Sequence, residues 1–172
     1  MNLIGDHISL RLPTIEDVHI IHRWENDPEH WLVSNTIAPY TKEQILHFIE
    51  HDNDLYADQQ MRMMIESKEG AVVGCIDLFD FDPKNHRVGL GILIDDAFRG
   101  KGLGNEAIAL TVRYCFDELE MHSIYADVLE NNASSQRLFE ANGFVKAGHK
   151  KDWLWNGSEF MDQYFYQRIK EQ

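Results

Sequence analysis

The segment Arg99-Gly100-Lys101-Gly102-Leu103-Gly104 places two cations among three glycines. It follows an apolar run, Val88 to Ile94, that reads as a buried strand, and it opens a stretch with helical spacing, Leu103 to Leu119. Strand, glycine turn and helix together leave unpaired backbone N–H groups at a helix N-terminus, where the helix dipole favours an anion. Glycine lets the chain approach a pyrophosphate closely and take backbone angles that other residues avoid. Residues 99–104 are therefore expected to hold a phosphate-bearing ligand; otherwise they form a plain strand–helix turn. The spacing is not that of a P-loop, because Gly102 rather than Ser or Thr follows Lys101. It is not a dinucleotide fingerprint either, because the glycines read G-x-G-x-G and fall past the midpoint of the chain.

Other residues carry chemistry of a less specific kind. Asp77, Asp80 and Asp82 lie on or near one predicted strand. They either relay protons through water or form a solvated strand end and turn. Tyr125 is either a proton donor or a core residue of its strand. His47-Phe48-Ile49-Glu50-His51 spells H-x-x-E-H, which on a helix brings two imidazoles to one side, and His19 and His22 form a similar pair. With nine histidines in the chain and no obvious companion acid downstream, both pairs read as coincidence, and no metal site is expected.

Arg99, Gly102 and Gly104 fit the pattern R/Q-x-x-G-x-G/A. About 30 residues later, the separation that one helix and one strand of a βαβ unit require, Asn132-Ala133-Ser134-Ser135-Gln136-Arg137-Leu138-Phe139-Glu140-Ala141-Asn142-Gly143-Phe144 fits N-x-x-S/A-x-x-L-Y/F-x-x-x-G-F. In this order the two motifs resemble those of the GNAT superfamily of acyl-CoA-dependent N-acyltransferases. The tail, with Trp153, Gly157 and Asp162 before Tyr164 and Tyr166, resembles the branch that includes spermidine and ribosomal-protein N-terminal acetyltransferases.

The resemblance implies transfer of an acetyl group from acetyl-CoA, the co-substrate, to a primary amine by direct attack in a ternary complex. It assigns the pyrophosphate to Arg99, Gly100, Lys101, Gly102, Leu103 and Gly104. The thioester goes to the backbone of Ile92, Leu93 and Ile94, and the pantetheine arm to Asn132, Ser135 and Phe139. Two departures stand out. Many members carry a tyrosine where this chain has Phe139, and often a glutamate where it has Gly89. General acid and general base are thus unassigned. Ser135, Asp77 and Tyr125 are the catalytic candidates, although Ser135 equally suits a helix start. Gly91 suggests a bulge that splays its strand from 123–128. Trp24, Trp31 and Tyr40, with Asp77, are expected to line an acceptor pocket rimmed by Glu25, Asp27 and Glu29; the bland alternative is ordinary core and surface.

Composition bounds the rest. The chain has 172 residues and 44% hydrophobic content, enough for a single domain with a sizeable core. The formal net charge is −13, which disfavours nucleic acid and favours a cationic small-molecule or peptide amine. A polyamine is the first expectation, with N-terminal protein amines and amino sugars as alternatives. A non-catalytic acyl-CoA-binding module is the alternative of another class. No apolar run reaches membrane-spanning length and no secretory signal is evident. Cys75 and Cys115 read as reduced core thiols, so the expected location is cytoplasmic; a homo-oligomer is possible.

The elements that must position these residues follow from the pattern. His7 to Leu12 alternates as a strand, and Thr14 to Asp17 starts a helix that presents Val18, Ile21 and Trp24. A second helix starts at Thr41-Lys42-Glu43-Gln44. Residues 61–66 and 71–81 read as a hairpin, 87–94 and 123–128 as strands, and 143–149 and 162–168 as the last two strands. The predicted fold class is α/β (α+β): one mixed, mostly antiparallel sheet with helices on both faces.

Overall fold

The computed structural model describes residues 2–28, 31 and 37–171. The chain opens with two strands, β1 (Asn2–Ile4) and β2 (Ile8–Arg11). A 3-10 turn at Ile15–Asp17 leads into α1 (Val18–Glu25), and α2 (Lys42–His51) follows. Three strands come next: β3 (Met61–Ser67), β4 (Val72–Asp82) and β5 (Arg87–Ile94). Then α3 (Leu103–Asp117), β6 (Ser123–Leu129), α4 (Ala133–Ala141), β7 (Val145–Trp155) and β8 (Phe160–Ile169) complete the order.

All eight strands form one sheet in the order β1-β2-β3-β4-β5-β6-β8-β7. Every neighbouring pair is antiparallel except β5 and β6. That parallel pair is formed over Arg87↔Ser123, Val88↔Ile124 and Gly89↔Tyr125 and no further. Beyond Gly89 the two strands separate, and the fork between them opens toward the N-terminus of α3.

Alternation along β4 distributes side chains to the two faces. Ile76 and Leu78 join Ile108 and Cys115 of α3 and Phe139 of α4 in the larger core. Cys75 joins Met64 of β3 in a smaller cluster with Ile21 and Trp24 of α1 and Ile45 of α2. Side chains hold the starts of α1 and α2. Thr41 and Gln44 exchange side-chain-to-amide hydrogen bonds of 3.2 and 2.8 Å at α2. Arg11 grips the buried Asp17 with two hydrogen bonds of 2.7 and 3.0 Å before α1.

The predicted class holds, and the differences are local. β1 is absent from the sequence reading because three residues of an exposed edge strand give no alternation to count. β7 runs on to Trp155, since its mostly exposed residues carry no apolar period and a register shift interrupts it between Lys150 and Leu154. The bulge expected at Gly91 is not there. Gly91 pairs in register with Asp77, and the irregularity lies on β4 between Phe79 and Asp82, where Asp80 has φ 48°. The fork needs no bulge on β5, because it arises where parallel pairing ends.

Candidate active site

A cleft of about 1890 Å³ runs from the glycine turn, past the fork, to the face covered by α1 and α2. At one end, Gly100 and Gly102 have φ 76° and 79°, and Gly102 immediately precedes α3. A Cβ added at either position would meet nothing within 4 Å, so the backbone there borders open space. No side chain caps the first amides of α3, which leaves N–H donors for an anion. Gly104 serves a different purpose: a Cβ there would sit 3.3 Å from Leu138 of α4, so its absence lets the two helices approach. Arg99 is tied to Ile94 O at 3.1 Å and to Asp96 at 2.7 Å, while Lys101 lies 5.0 Å over the ring of Phe98. All six residues from Arg99 to Gly104 line the cleft, as do Ile92, Leu93 and Ile94.

The opposite wall comes from β6 and α4. Asn132 caps α4 by accepting the Ser135 amide at 3.1 Å. The cap is therefore the asparagine, and Ser135 contributes its N–H to it. Asn132, Ser135 and Phe139 all line the cleft. Phe139 is 3% exposed and packs edge-on against Phe144 at 5.1 Å, with Tyr166 stacked at 6.5 Å.

Ion pairs dominate the other end. Arg62 of β3 donates to both oxygens of Asp77, at 2.7 and 2.8 Å, and to Glu25 of α1 at 2.5 Å. Burial disfavours its charge, but the two carboxylates more than reverse this and hold its pKa well above the ordinary value. Asp77 is thus committed to an ion pair. Asp127 is held by Lys150 at 2.7 Å. Tyr125 donates its hydroxyl to Asp80 at 2.7 Å, and burial together with that carboxylate raises its pKa. Burial pushes the thiols of Cys75 and Cys115 up to about 12, which leaves neither a thiolate at neutral pH.

The aromatic candidates divide. Trp24 is buried beneath the cleft and donates its indole N–H to Asp95 at 3.0 Å. Tyr40 lies on the rim, its backbone paired with the side chain of Asn26. Trp31 does not line the cleft; its indole binds the carbonyl of Glu25 at 2.8 Å and closes the end of α1. Glu25 lines the cleft, Asp27 is half-buried away from its wall, and Glu29 lies outside the described residues.

Arg62 escaped the sequence reading. Its signal was available: one arginine inside Met61-Arg62-Met63-Met64-Ile65 must be paired if the strand is buried. His47 and His51 stack at 4.7 Å and His47 reaches Asp52 at 3.0 Å. Among the described residues there is no group of three or more His, Cys, Asp or Glu that could hold a metal, and no helix is long and apolar enough to cross a membrane.

The acetyltransferase (GNAT) domain profile matches residues 7–145. The chain belongs to the GNAT family. Its members use acetyl-CoA, and the chain is an N-acetyltransferase. It is 28% identical over 173 residues to the uncharacterized N-acetyltransferase p20 of Bacillus licheniformis, covering 99% of this chain and 97% of that one. Over 104 residues it is 28% identical to the putative ribosomal N-acetyltransferase YdaF of Bacillus subtilis (strain 168), 60% of this chain and 57% of that one. Its fold matches a crystal structure of spermidine N-acetyltransferase from Vibrio cholerae in complex with CoA and spermine, with TM-score 0.84 and 21% identity. That match covers 94% of this chain and 95% of the other.

Proposed function

We propose that this GNAT enzyme acetylates a primary amine that is cationic in solution, with a polyamine as the first choice of acceptor. The observation that carries the reading is one continuous cleft with a glycine turn of uncapped amides at one end and six carboxylates along the rest: Glu25, Glu43, Asp52, Asp77, Asp80 and Asp127. Phosphates suit the first end and an ammonium the second. The V. cholerae protein, which binds CoA and spermine, supports the same pairing of ligands.

In this reading the amides at the start of α3 and the open backbone of Gly100 and Gly102 hold the pyrophosphate. The Ile92 and Ile94 amides, which point away from β4 where β5 leaves β6, donate to the thioester carbonyl and stabilise the oxyanion. Asn132, Ser135 and Phe139 flank the arm. Phe139 cannot donate a proton, which leaves the Ser135 hydroxyl as the donor on that wall for the departing sulfur. Trp24 and Tyr40 bound the acceptor end, and Asp77 with Glu25 outweighs Arg62 there by one charge. A cytoplasmic, homo-oligomeric enzyme belongs to the same reading.

The test is CoA release with spermidine, an N-terminal peptide and an amino sugar, each at two salt concentrations. A cationic acceptor drawn in by the carboxylates should lose kcat/KM as salt rises, since screening shortens to ~10 Å at 0.1 M. A best acceptor that is neutral or anionic and insensitive to salt would refute the acceptor assignment.

A further inference from the structure

An amine that is protonated in solution must lose a proton before it attacks, so a group near the fork has to take it. Most acids along the cleft are otherwise engaged. Glu25 and Asp77 hold Arg62, Asp127 holds Lys150, and Asp52 holds His47. Glu43 sits in the first turn of α2, bonded to the Thr41 hydroxyl. Asp80, also exposed, is set apart by its place: it accepts from the neutral hydroxyl of Tyr125, at the last paired position of β5 and β6.

The backbone brings Asp80 to this place. Phe81 enters the larger core, and Phe79 lies on the opposite, cleft-facing side. Strict alternation would turn Asp80 away from Phe79. Instead β4 spends three steps from Phe79 to Asp82 where β5 spends two from Gly89 to Arg87. This bulge, with φ 48° at Asp80, delivers the carboxylate to the cleft side. Its partner Tyr125 belongs to the last paired position before β5 and β6 separate. The Tyr125 ring is held between Phe79, edge-on at 5.6 Å, and Phe165, stacked at 5.3 Å. The ring of Phe79 also fills the space beside Gly89, since a Cβ there would lie 2.3 Å from it. A strained backbone, a clamped phenol and a carboxylate with no ion pair among the described residues thus converge on the fork.

We propose that Asp80 accepts the proton of the bound ammonium, directly or through one water, and that Tyr125 is the residue that positions it. This rests on the amine-acetylation reading above. One N–H proton passes to the Asp80 carboxylate and on to solvent. The freed lone pair forms the C–N bond to the thioester carbonyl carbon. Collapse of the tetrahedral intermediate breaks the C–S bond, and the second amine proton leaves with the thiolate to give CoA thiol. The charged and titratable groups around Asp80 are Asp77 and Asp82 on β4, Arg87 on β5, Tyr125 and Asp127 on β6, and Lys150 on β7.

The test is kcat/KM for spermidine across about pH 6 to 10, the range between ordinary carboxylate and amine titration, with acetyl-CoA affinity measured in parallel. Asp80→Asn keeps a residue that tolerates positive φ. It should lower kcat/KM about 100-fold at neutral pH. Its profile should climb about tenfold per pH unit and close that gap within about two units, as the amine pKa of ~10 is approached and free amine no longer needs a base. Acetyl-CoA affinity should not change. Tyr125→Phe should lose about tenfold or less, with the shape of the wild-type profile. An Asp80→Asn enzyme with a wild-type profile, or one depressed equally at every pH, would overturn the assignment. Should that variant fail to bind acetyl-CoA, Asp80→Gly, which suits the bulge, decides by the same criteria. A wild-type enzyme that acetylates no amine would instead refute the acceptor reading itself.

Discussion

Replacing Arg62 with leucine removes three charge-assisted hydrogen bonds at once, two to Asp77 and one to Glu25. The arginine side chain is 14% exposed and Glu25 17%, whereas Asp77 is 35% exposed. Removing one partner of a buried pair costs about 3–5 kcal/mol, because the remaining charge is left without compensation. Water can reach Asp77, so its share is reduced, and about 2–3 kcal/mol is the expected loss. In a domain of this size each kcal/mol moves Tm by about 2–4 °C, which gives a fall of about 4–12 °C. Urea unfolding should show a lower midpoint with an unchanged slope. The triple variant Arg62→Leu, Asp77→Asn, Glu25→Gln should regain a large part of the loss, since it leaves no unpaired carboxylate. A single-variant loss below about 1 kcal/mol, or a triple variant no more stable than the single, would refute the view that compensation of these carboxylates is what Arg62 supplies.

Gly102→Asp forces a non-glycine residue to φ 79° and puts a negative charge at the anion end, so acetyl-CoA affinity measured by calorimetry should fall while the fold is retained. Gly104→Val should lower thermal stability as well, because its Cβ meets Leu138 at 3.3 Å. Phe139→Leu should keep kcat within about tenfold, since only packing against Phe144 and Tyr166 is lost, whereas removal of a true acid costs ~100-fold or more. Burial opposes the charge on Asp17, but Arg11 and Thr14 outweigh it and hold the carboxyl below its usual range. The native pKa is the lower one, so this stabilisation is present above the ordinary carboxylate pKa of about 4 and is lost as pH falls through the native value. Asp17→Asn should therefore flatten the acid limb of the stability profile.

The parts of the fold that were readable in the chain are those with a local cause. Thr41 and Gln44 name a helix start by themselves, and so does the glycine turn before α3. The glycine-turn end of the cleft was readable for the same reason, because six consecutive residues line it. The acceptor end depends on contacts between distant strands. Nothing local pairs Arg62 with Glu25, 37 residues away, or brings Tyr125 to Asp80 across 45 residues. The bulge was expected on β5 because glycine is a familiar mark of one; it formed on β4, at an aspartate that also tolerates positive φ. Trp31 shows the opposite error: an aromatic near other aromatics in sequence is used to close a helix end rather than to line a pocket.

The strand order also bears on how the polypeptide is made. β8, the last strand, lies between β6 and β7, and its Phe165 is one of the two rings that hold Tyr125. While the ribosome is still adding residues before Phe160, β6 has no antiparallel neighbour and presents a bare row of peptide groups. A nascent chain stalled there displays an adhesive edge, and the residues of the glycine turn have already been synthesised. The order of synthesis therefore puts the glycine turn before the completed wall around Tyr125, and a chain cut short before β8 would be sticky before it could be competent.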